Sequence, residues 1–129
     1  MKCRVCGSQA SISLRSYNTA YCETHFCSFL EGRVHSTIRK YALISPEDRP
    51  IVAVSGGKDS LSLWEMLTKL GFEADGIYVD LGITDYSARS LEKTKQMADR
   101  LGRRFYYFPM GRIFRKGIDE MARIIRRTP

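Results

Sequence analysis

The sequence predicts an α/β protein in which a small N-terminal ribbon precedes an incomplete, doubly wound parallel sheet. Three observations predict it. Cysteine and histidine crowd the first 27 positions at short, regular spacings, and a polar stretch with two prolines, Ser45-Pro46-Glu47-Asp48-Arg49-Pro50, interrupts the chain. Beyond that break, short apolar runs alternate with helix-period segments in the order βαβαβα. The boundaries that follow are a ribbon over 1–26, a helix and linker over 27–50, and the sheet over 51–129.

In the ribbon, Cys3-x-x-Cys6 and Cys22-x-x-His25 stand fifteen residues apart. Two tight turns, each supplying a ligand pair, are how a small ribbon holds a tetrahedral zinc ion. Residues 1–22 carry too little apolar surface to fold without such a staple. A disulfide or a redox Cys-x-x-Cys is the alternative use of the cysteines. The fourth ligand is contested by Cys27. On a helix starting near Glu23, positions 22 and 25 lie about 60° apart around the axis, whereas 22 and 27 lie about 140° apart. That geometry favours His25, with Cys27 kept as the alternative.

From Glu23 to Leu43 apolar residues recur in steps of three and four (Phe26, Phe29, Leu30, Val34, Ile38, Tyr41), which predicts an amphipathic helix. After the proline linker, Ile51-Val52-Ala53-Val54 reads as a buried strand. It runs into Ser55-Gly56-Gly57-Lys58-Asp59-Ser60 and then a helix over 59–70, closed by Gly71. Two glycines at a strand end let backbone N–H groups approach an anion, and the helix N-terminus points to the same place. Lys58 adds a positive charge, Asp59 a carboxylate suited to Mg²⁺, and Ser55 and Ser60 hydroxyl donors. Strand, phosphate cradle and helix make a nucleotide site. It is not the Walker A pattern, which needs Gly where Val52 stands and Ser or Thr where Asp59 stands.

The next elements are a strand over Gly76–Val79, a helix from about Ser87 to Leu101 closed by Gly102, and a strand over Arg104–Phe108. A last helix from about Ile113 to Arg126 is expected to bury Phe114, Ile118, Met121 and Ile125 on one stripe. Asp80, just past the second strand, is within reach of the nucleotide crevice, either as a catalytic group or as the cap of a turn. Three strands are fewer than such folds carry. The expectation is therefore the front half of something longer, or a chain whose first strand is covered by a partner.

The net charge of +7 gathers at the two ends, residues 1–45 (Lys2, Arg4, Arg15, Arg33, Arg39, Lys40) and 103–127 (Arg103, Arg104, Arg112, Arg115, Lys116, Arg123, Arg126, Arg127). Arg33, Arg39 and Lys40 of the first helix and Arg112, Arg115, Lys116, Arg123, Arg126 and Arg127 around the last are the expected contacts. Basic ends flanking a nucleotide site point to RNA. No apolar run is long enough to cross a bilayer and the N-terminus has no secretory pattern, so a cytoplasmic protein without a membrane partner is expected.

The ribbon, the basic helix, the linker, Ala53-Val54-Ser55-Gly56-Gly57-Lys58-Asp59-Ser60 and Tyr78-Val79-Asp80-Leu81-Gly82-Ile83 together resemble the TtuA-type tRNA 2-thiolation enzymes. These belong to the N-type ATP pyrophosphatases, or PP-loop superfamily, with its Rossmann-like sheet. The TtcA-type cytidine thiolases share the loop but lack the ribbon. The resemblance implies ATP, Mg²⁺ and Zn²⁺ as cofactors and tRNA as partner. A uridine 2-oxygen is adenylated with release of pyrophosphate, and sulfur then replaces AMP.

By matching position, Cys3, Cys6, Cys22 and His25 would hold zinc, while Ala53, Ser55, Gly56, Gly57, Lys58, Asp59, Ser60 and Val79 would contact ATP. Lys58, Asp59 and Asp80 are the candidate catalytic groups. The resemblance also implies an iron–sulfur cluster, on cysteines of a C-terminal part this sequence lacks, and a sulfur donor such as a thiocarboxylated ubiquitin-like protein. A homodimer is compatible with it, and the chain alone is expected to be inactive. Two other functions stay open: a nucleotide- and RNA-binding zinc module without catalysis, and a PP-loop ligase or amidating enzyme with another substrate.

Overall fold

A computed structural model of the chain describes residues 1–83, 86–113 and 118–127. Its contacts divide it into two units, Met1–Ser45 and Pro46–Pro129.

In the first unit, β1 (Ile12–Leu14) and β2 (Thr19–Tyr21) pair antiparallel, with Ser13 opposite Ala20. A single 3₁₀ turn, Arg15–Tyr17, joins them. It ends on Asn18 in the left-handed region (φ 46°), which asparagine tolerates better than most residues. Helix α1 (Glu23–Tyr41) follows. Cys3, Ala20, Tyr21 and Ile38 are the buried apolar residues of this unit, and Tyr21 stacks on Phe29 of α1 with ring centroids 5.1 Å apart. The predicted apolar stripe is only partly covered, because Ile38 is buried but Tyr41 is 61% exposed. Two three-residue strands reach ~10 Å, whereas a helix of this length runs ~28 Å, so the hairpin cannot cover all of it.

The second unit runs β3 (Ile51–Ala53), α2 (Lys58–Lys69), β4 (Asp75–Asp80), α3 (Tyr86–Leu101), β5 (Phe105–Pro109), α4 (Met110–Ile113) and α5 (Ile118–Arg127). The sheet order is β3-β4-β5 and both pairings are parallel, Val52 facing Gly76 and Gly76 facing Phe105. Gly71 (φ +92°) and Gly102 (φ +61°) close α2 and α3 as predicted. In each case two backbone N–H groups turn back onto the helix end, Gly71 and Phe72 onto Thr68 and Leu67, and Gly102 and Arg103 onto Asp99 and Ala98.

Trp64 of α2 is fully buried against Gly76, and its indole N–H donates to the Ala74 carbonyl at 2.8 Å. A Cβ on Gly76 would lie 2.6 Å from that ring, so the glycine is what lets α2 sit on the sheet. Tyr78, on the same face, donates its hydroxyl to the Ser87 carbonyl of α3 at 3.2 Å. Both crossover helices therefore cover one face. The other carries Ile51 (60% exposed), Ala53, Val79, Tyr106 and Phe108, all exposed among the described residues.

That corrects two expectations. The first strand is buried only at Val52 and Val54, because Ile51 and Ala53 point to the uncovered face. Ile125 is not buried on a stripe but 71% exposed. A helical period shows which side chains share a face, and burial needs a second surface to meet it. Phe114 and the side chains of Ile118 and Met121 lie outside the described residues.

Candidate functional site

The two chain ends of the ribbon converge. Cys3 and Cys6 flank a tight turn that Gly7 (φ +73°) closes by donating its N–H to the Cys3 carbonyl at 2.9 Å. Cys22 is the N-cap of α1, and His25 sits in its first turn. The three sulfurs and one imidazole nitrogen lie within 4.8 Å of one another. Cys3 Sγ is 3.5 Å and Cys22 Sγ 3.1 Å from His25 Nδ1, and Cys6 Sγ is 3.9 Å from Cys22 Sγ.

A tetrahedron with zinc's usual Zn–S and Zn–N bond lengths has edges of roughly 3.5–3.8 Å, so the donor set and its spacing suit such an ion. Cys27 is exposed on α1 and stands outside the cluster. Burial pushes the Cys3 thiol up, but backbone hydrogen bonds at Cys6, Cys22 and Val5 outweigh it and bring the thiol down to about 6. The Ser8 hydroxyl, 3.0 Å from Cys6 Sγ, lowers that thiol too. At Cys3 and Cys6 the shifts favour the thiolate form a metal requires. At Cys22 the backbone hydrogen bond of His25 lowers the thiol, but burial and the neighbouring Cys3 and Cys6 sulfurs outweigh it and push that thiol up.

The loop 55–60 lies between the carboxyl end of β3 and the N-terminus of α2. Gly56 is left-handed (φ +75°) and buried, and a Cβ there would stand 2.6 Å from the Ser90 backbone of α3. Gly57 caps α2 in an extended conformation (φ −81°), with its Cβ direction meeting only Ser55 Oγ at 3.3 Å. Ser60 braces the turn: its hydroxyl accepts the Ser55 N–H at 3.1 Å and donates to the Gly57 carbonyl at 3.2 Å. The first-turn N–H groups of α2 have no acceptor within the helix and carry its positive dipole end. Lys58 and Asp59 form a 3.0 Å ion pair on the surface, with side chains 88% and 91% exposed. An ion pair so exposed is worth little, so both groups are free to turn to a ligand.

Ser55 and Val79 also line a narrow apolar slot of about 50 Å³ with Tyr78, Leu81, Ile83 and Ser87, at the carboxyl ends of β3 and β4. Ala53 ends β3 one strand away from Ile77. Asp80 ends β4 and accepts the Gly82 N–H on Oδ1 at 2.9 Å, which is the turn-capping role. Its other oxygen accepts the Tyr107 hydroxyl at 2.5 Å. The Tyr107 hydrogen bond first, then the Gly82 N–H, hold the Asp80 carboxyl below its ordinary value. Tyr107 also stacks on Tyr78, at 6.4 Å between centroids.

Residues 2–27 match the model of the 2-thiouridine synthetase TtuA N-terminal LIM domain. Over 128 residues the chain is 39% identical to the tRNA-5-methyluridine(54) 2-sulfurtransferase of Thermus thermophilus, covering 99% of this chain and 40% of that protein. The chain is similar along its whole length to TtuA-type tRNA 2-thiolation proteins. The protein of the same description from Pyrococcus horikoshii is 36% identical across 100% of the chain and 41% of its own length. The structure resembles that of the U34-tRNA thiolase NcsA from Methanococcus maripaludis, solved with its [4Fe-4S] cluster. The TM-score is 0.79 at 22% identity, over 98% of this chain and 47% of that one, which shows the shared fold. The chain thus spans about two fifths of the length of these curated relatives.

Sequence reasoning missed Tyr107 and Ser90. Tyr107 reaches Asp80 only because β5 pairs with Tyr78 opposite Tyr107, and strand register is not written in local pattern. Ser90 matters through its backbone, which leaves no side-chain signal. Of the predicted basic residues, Arg33, Arg39, Lys40, Arg112 and Arg123 are exposed. Arg115, Lys116 and the side chains of Arg126 and Arg127 lie outside the described residues. Among the described residues no helix is long and apolar enough to cross a membrane.

Proposed function

We propose that the chain is the ATP-binding part of a tRNA-thiolating enzyme of the cytoplasm, in which a uridine 2-oxygen is adenylated before sulfur replaces AMP. The observation that carries this is the loop 55–60. Its left-handed Gly56 is pressed onto α3, and Gly57 opens the N-terminus of α2 toward the crevice at the strand ends. Brace and opening together make an anion cradle, and the apolar slot beside Ser55 offers the purine of ATP its lining, with Val79 at its edge. Ala53 is the last residue of the strand that delivers the loop.

The uridine oxygen attacks the α-phosphorus, and the bond to pyrophosphate breaks with its electron pair leaving on pyrophosphate. Sulfur then attacks C2, and the C2–O bond breaks with AMP as the leaving group. Lys58, Ser55 and the α2 N–H groups would neutralise charge growing on the departing pyrophosphate. Mg²⁺, when bound, supplies further neutralisation there, and Asp59 offers the carboxylate for it. Asp80, anchored by Gly82 and Tyr107, presents a fixed carboxylate at the same strand ends.

Zinc in the Cys3–Cys6–Cys22–His25 cluster would be structural. Sulfur delivery would belong to an iron–sulfur cluster such as the neighbour carries, on residues outside this sequence, fed by a donor such as a thiocarboxylated protein. Cys3, Cys6 and Cys22 would then be occupied as ligands of that metal, leaving Cys27 alone among the four cysteines here.

The test is ATP binding by calorimetry on Gly57→Val, at a position where a Cβ meets only Ser55 Oγ, at 3.3 Å. Affinity should fall at least ~10-fold with an unchanged far-UV spectrum, and unaltered affinity would remove the loop as the site. In a thiolation assay with ATP, tRNA and a sulfur source, the chain alone should yield no 2-thiouridine. Product formation would show that the chain is sufficient for the whole reaction.

A further inference from the structure

The first unit carries two exposed rings, each lying under a cation. Tyr17, the last residue of the 3₁₀ turn, is 53% exposed. Its ring meets Phe29 edge to face at 5.7 Å and 74°, and Phe29 stacks in turn on buried Tyr21. The ring is therefore propped from behind by two others and held at the surface. Arg33, one turn beyond Phe29, places its guanidinium 5.8 Å from the Tyr17 ring centre. Further along α1, Lys40 lies 5.1 Å from the ring centre of Tyr41, itself 61% exposed.

Arg33 and Lys40 are seven residues apart, which places them on one side of the helix and ~10 Å apart along its axis. Lys2, Arg4, Arg15, Arg33, Arg39 and Lys40 are all exposed. The unit's own carboxylates are Glu23 and Glu31, so this surface is strongly positive.

Charge alone would suit any polyanion, and the rings narrow the choice. An exposed cation–π contact is worth only ~0.5–1 kcal/mol, so Arg33 gives up little in leaving the ring for a phosphate. A nucleobase can stack on a propped ring, and such a stack is worth ~1–3 kcal/mol per base. An acidic peptide would use the cations and gain nothing from the rings. Paired RNA keeps its bases stacked inside the helix.

We propose that Tyr17 with Arg33, and Tyr41 with Lys40, form a docking strip for unpaired RNA, Tyr17 stacking a base while the cations take the flanking phosphates. This rests on the reading of tRNA as the partner, and adds that a single-stranded segment is what this unit grips.

The experiment measures binding of tRNA to the zinc-loaded chain by fluorescence anisotropy across a salt series, with heparin, a polyanion without bases, as the second ligand. Tyr17→Ala should weaken tRNA binding ~10-fold with an unchanged salt slope, Tyr17→Trp should restore it, and heparin affinity should stay as in the unmodified chain. Arg33→Gln should flatten the salt slope by about one phosphate contact. Should Tyr17→Ala lose zinc or helicity, photocrosslinking of 5-iodouridine-substituted tRNA to the unmodified chain replaces it, with an adduct expected on Tyr17. Absence of tRNA binding by the unmodified chain would sink the tRNA reading itself. Good tRNA binding that is indifferent to Tyr17→Ala, equal losses for tRNA and heparin, or crosslinks confined to other residues would overturn the strip and leave that reading standing.

Discussion

Asp80 shows how much a single residue's role depends on what the fold brings to it. One oxygen closes its own turn through the Gly82 N–H, and the other is held by Tyr107 from the neighbouring strand. Arg112 and Tyr78 are the other groups whose charge or ionisation acts on Tyr107 there. With its pKa lowered, Asp80 contributes stability that is present above the ordinary carboxylate range and lost as pH falls through the lowered value. Tyr107→Phe removes the hydroxyl but keeps the ring on Tyr78. The Asp80 carboxyl should then titrate at higher pH, read by carbon NMR of the side chain, and an unmoved titration would mean the hydrogen bond is not made in solution.

The ribbon allows a second test at this scale. His25→Ala should lose bound zinc, whereas Cys27→Ala should keep one equivalent, measured by elemental analysis. The reverse pattern would put Cys27 in the cluster. Ligand spacing on a nascent helix made His25 legible, because 22 and 25 share a face by arithmetic alone. Tyr107 was not legible, since its partner is set by register across two strands.

The elements whose ends glycine marks were legible too. Gly71 and Gly102 take the left-handed turn that closes α2 and α3. Helix α1 ends differently, on Ala42 at φ 48°, with its N–H directed to the Ile38 and Arg39 carbonyls. Alanine in that region costs about 1 kcal/mol, so Ala42→Gly should stabilise the first unit by up to ~1 kcal/mol in thermal unfolding. A destabilised variant would mean that the turn is not left-handed.

Close backbone approach is the part pattern cannot show. Gly56 read as a phosphate-loop glycine, yet its hydrogen faces the Ser90 backbone of α3, and a side chain there would clash as well as strain φ. Gly56→Val should therefore damage the fold, with loss of far-UV signal, where Gly57→Val spares it. Equal, intact spectra for the two would show that α3 yields to the loop. The half-exposed first strand shows the same limit: its pattern was right that Val52 and Val54 lie on one side and Ile51 and Ala53 on the other, and silent about whether a layer covers each side.

Over the whole molecule, the two units hold themselves together by different means. The second has a core of Val52, Val54, Trp64, Leu67, Ala74, Tyr78 and Ala98, while the first buries only Cys3, Ala20, Tyr21 and Ile38 as apolar residues. A core that small supplies too little to offset the entropy of ordering the ribbon, so a metal held by Cys3, Cys6, Cys22 and His25 would carry much of its folding energy. The chain contains a single tryptophan, Trp64, fully buried in the second unit. Its emission therefore reports that unit alone. Chelating the zinc-loaded chain should lower the far-UV helix signal by up to the 19 residues of α1 and abolish tRNA binding by the strip, while Trp64 emission and ATP affinity stay unchanged. A red shift of Trp64 on chelation would mean that the sheet depends on the ribbon for its fold. An unchanged helix signal would mean that the ribbon folds without its metal.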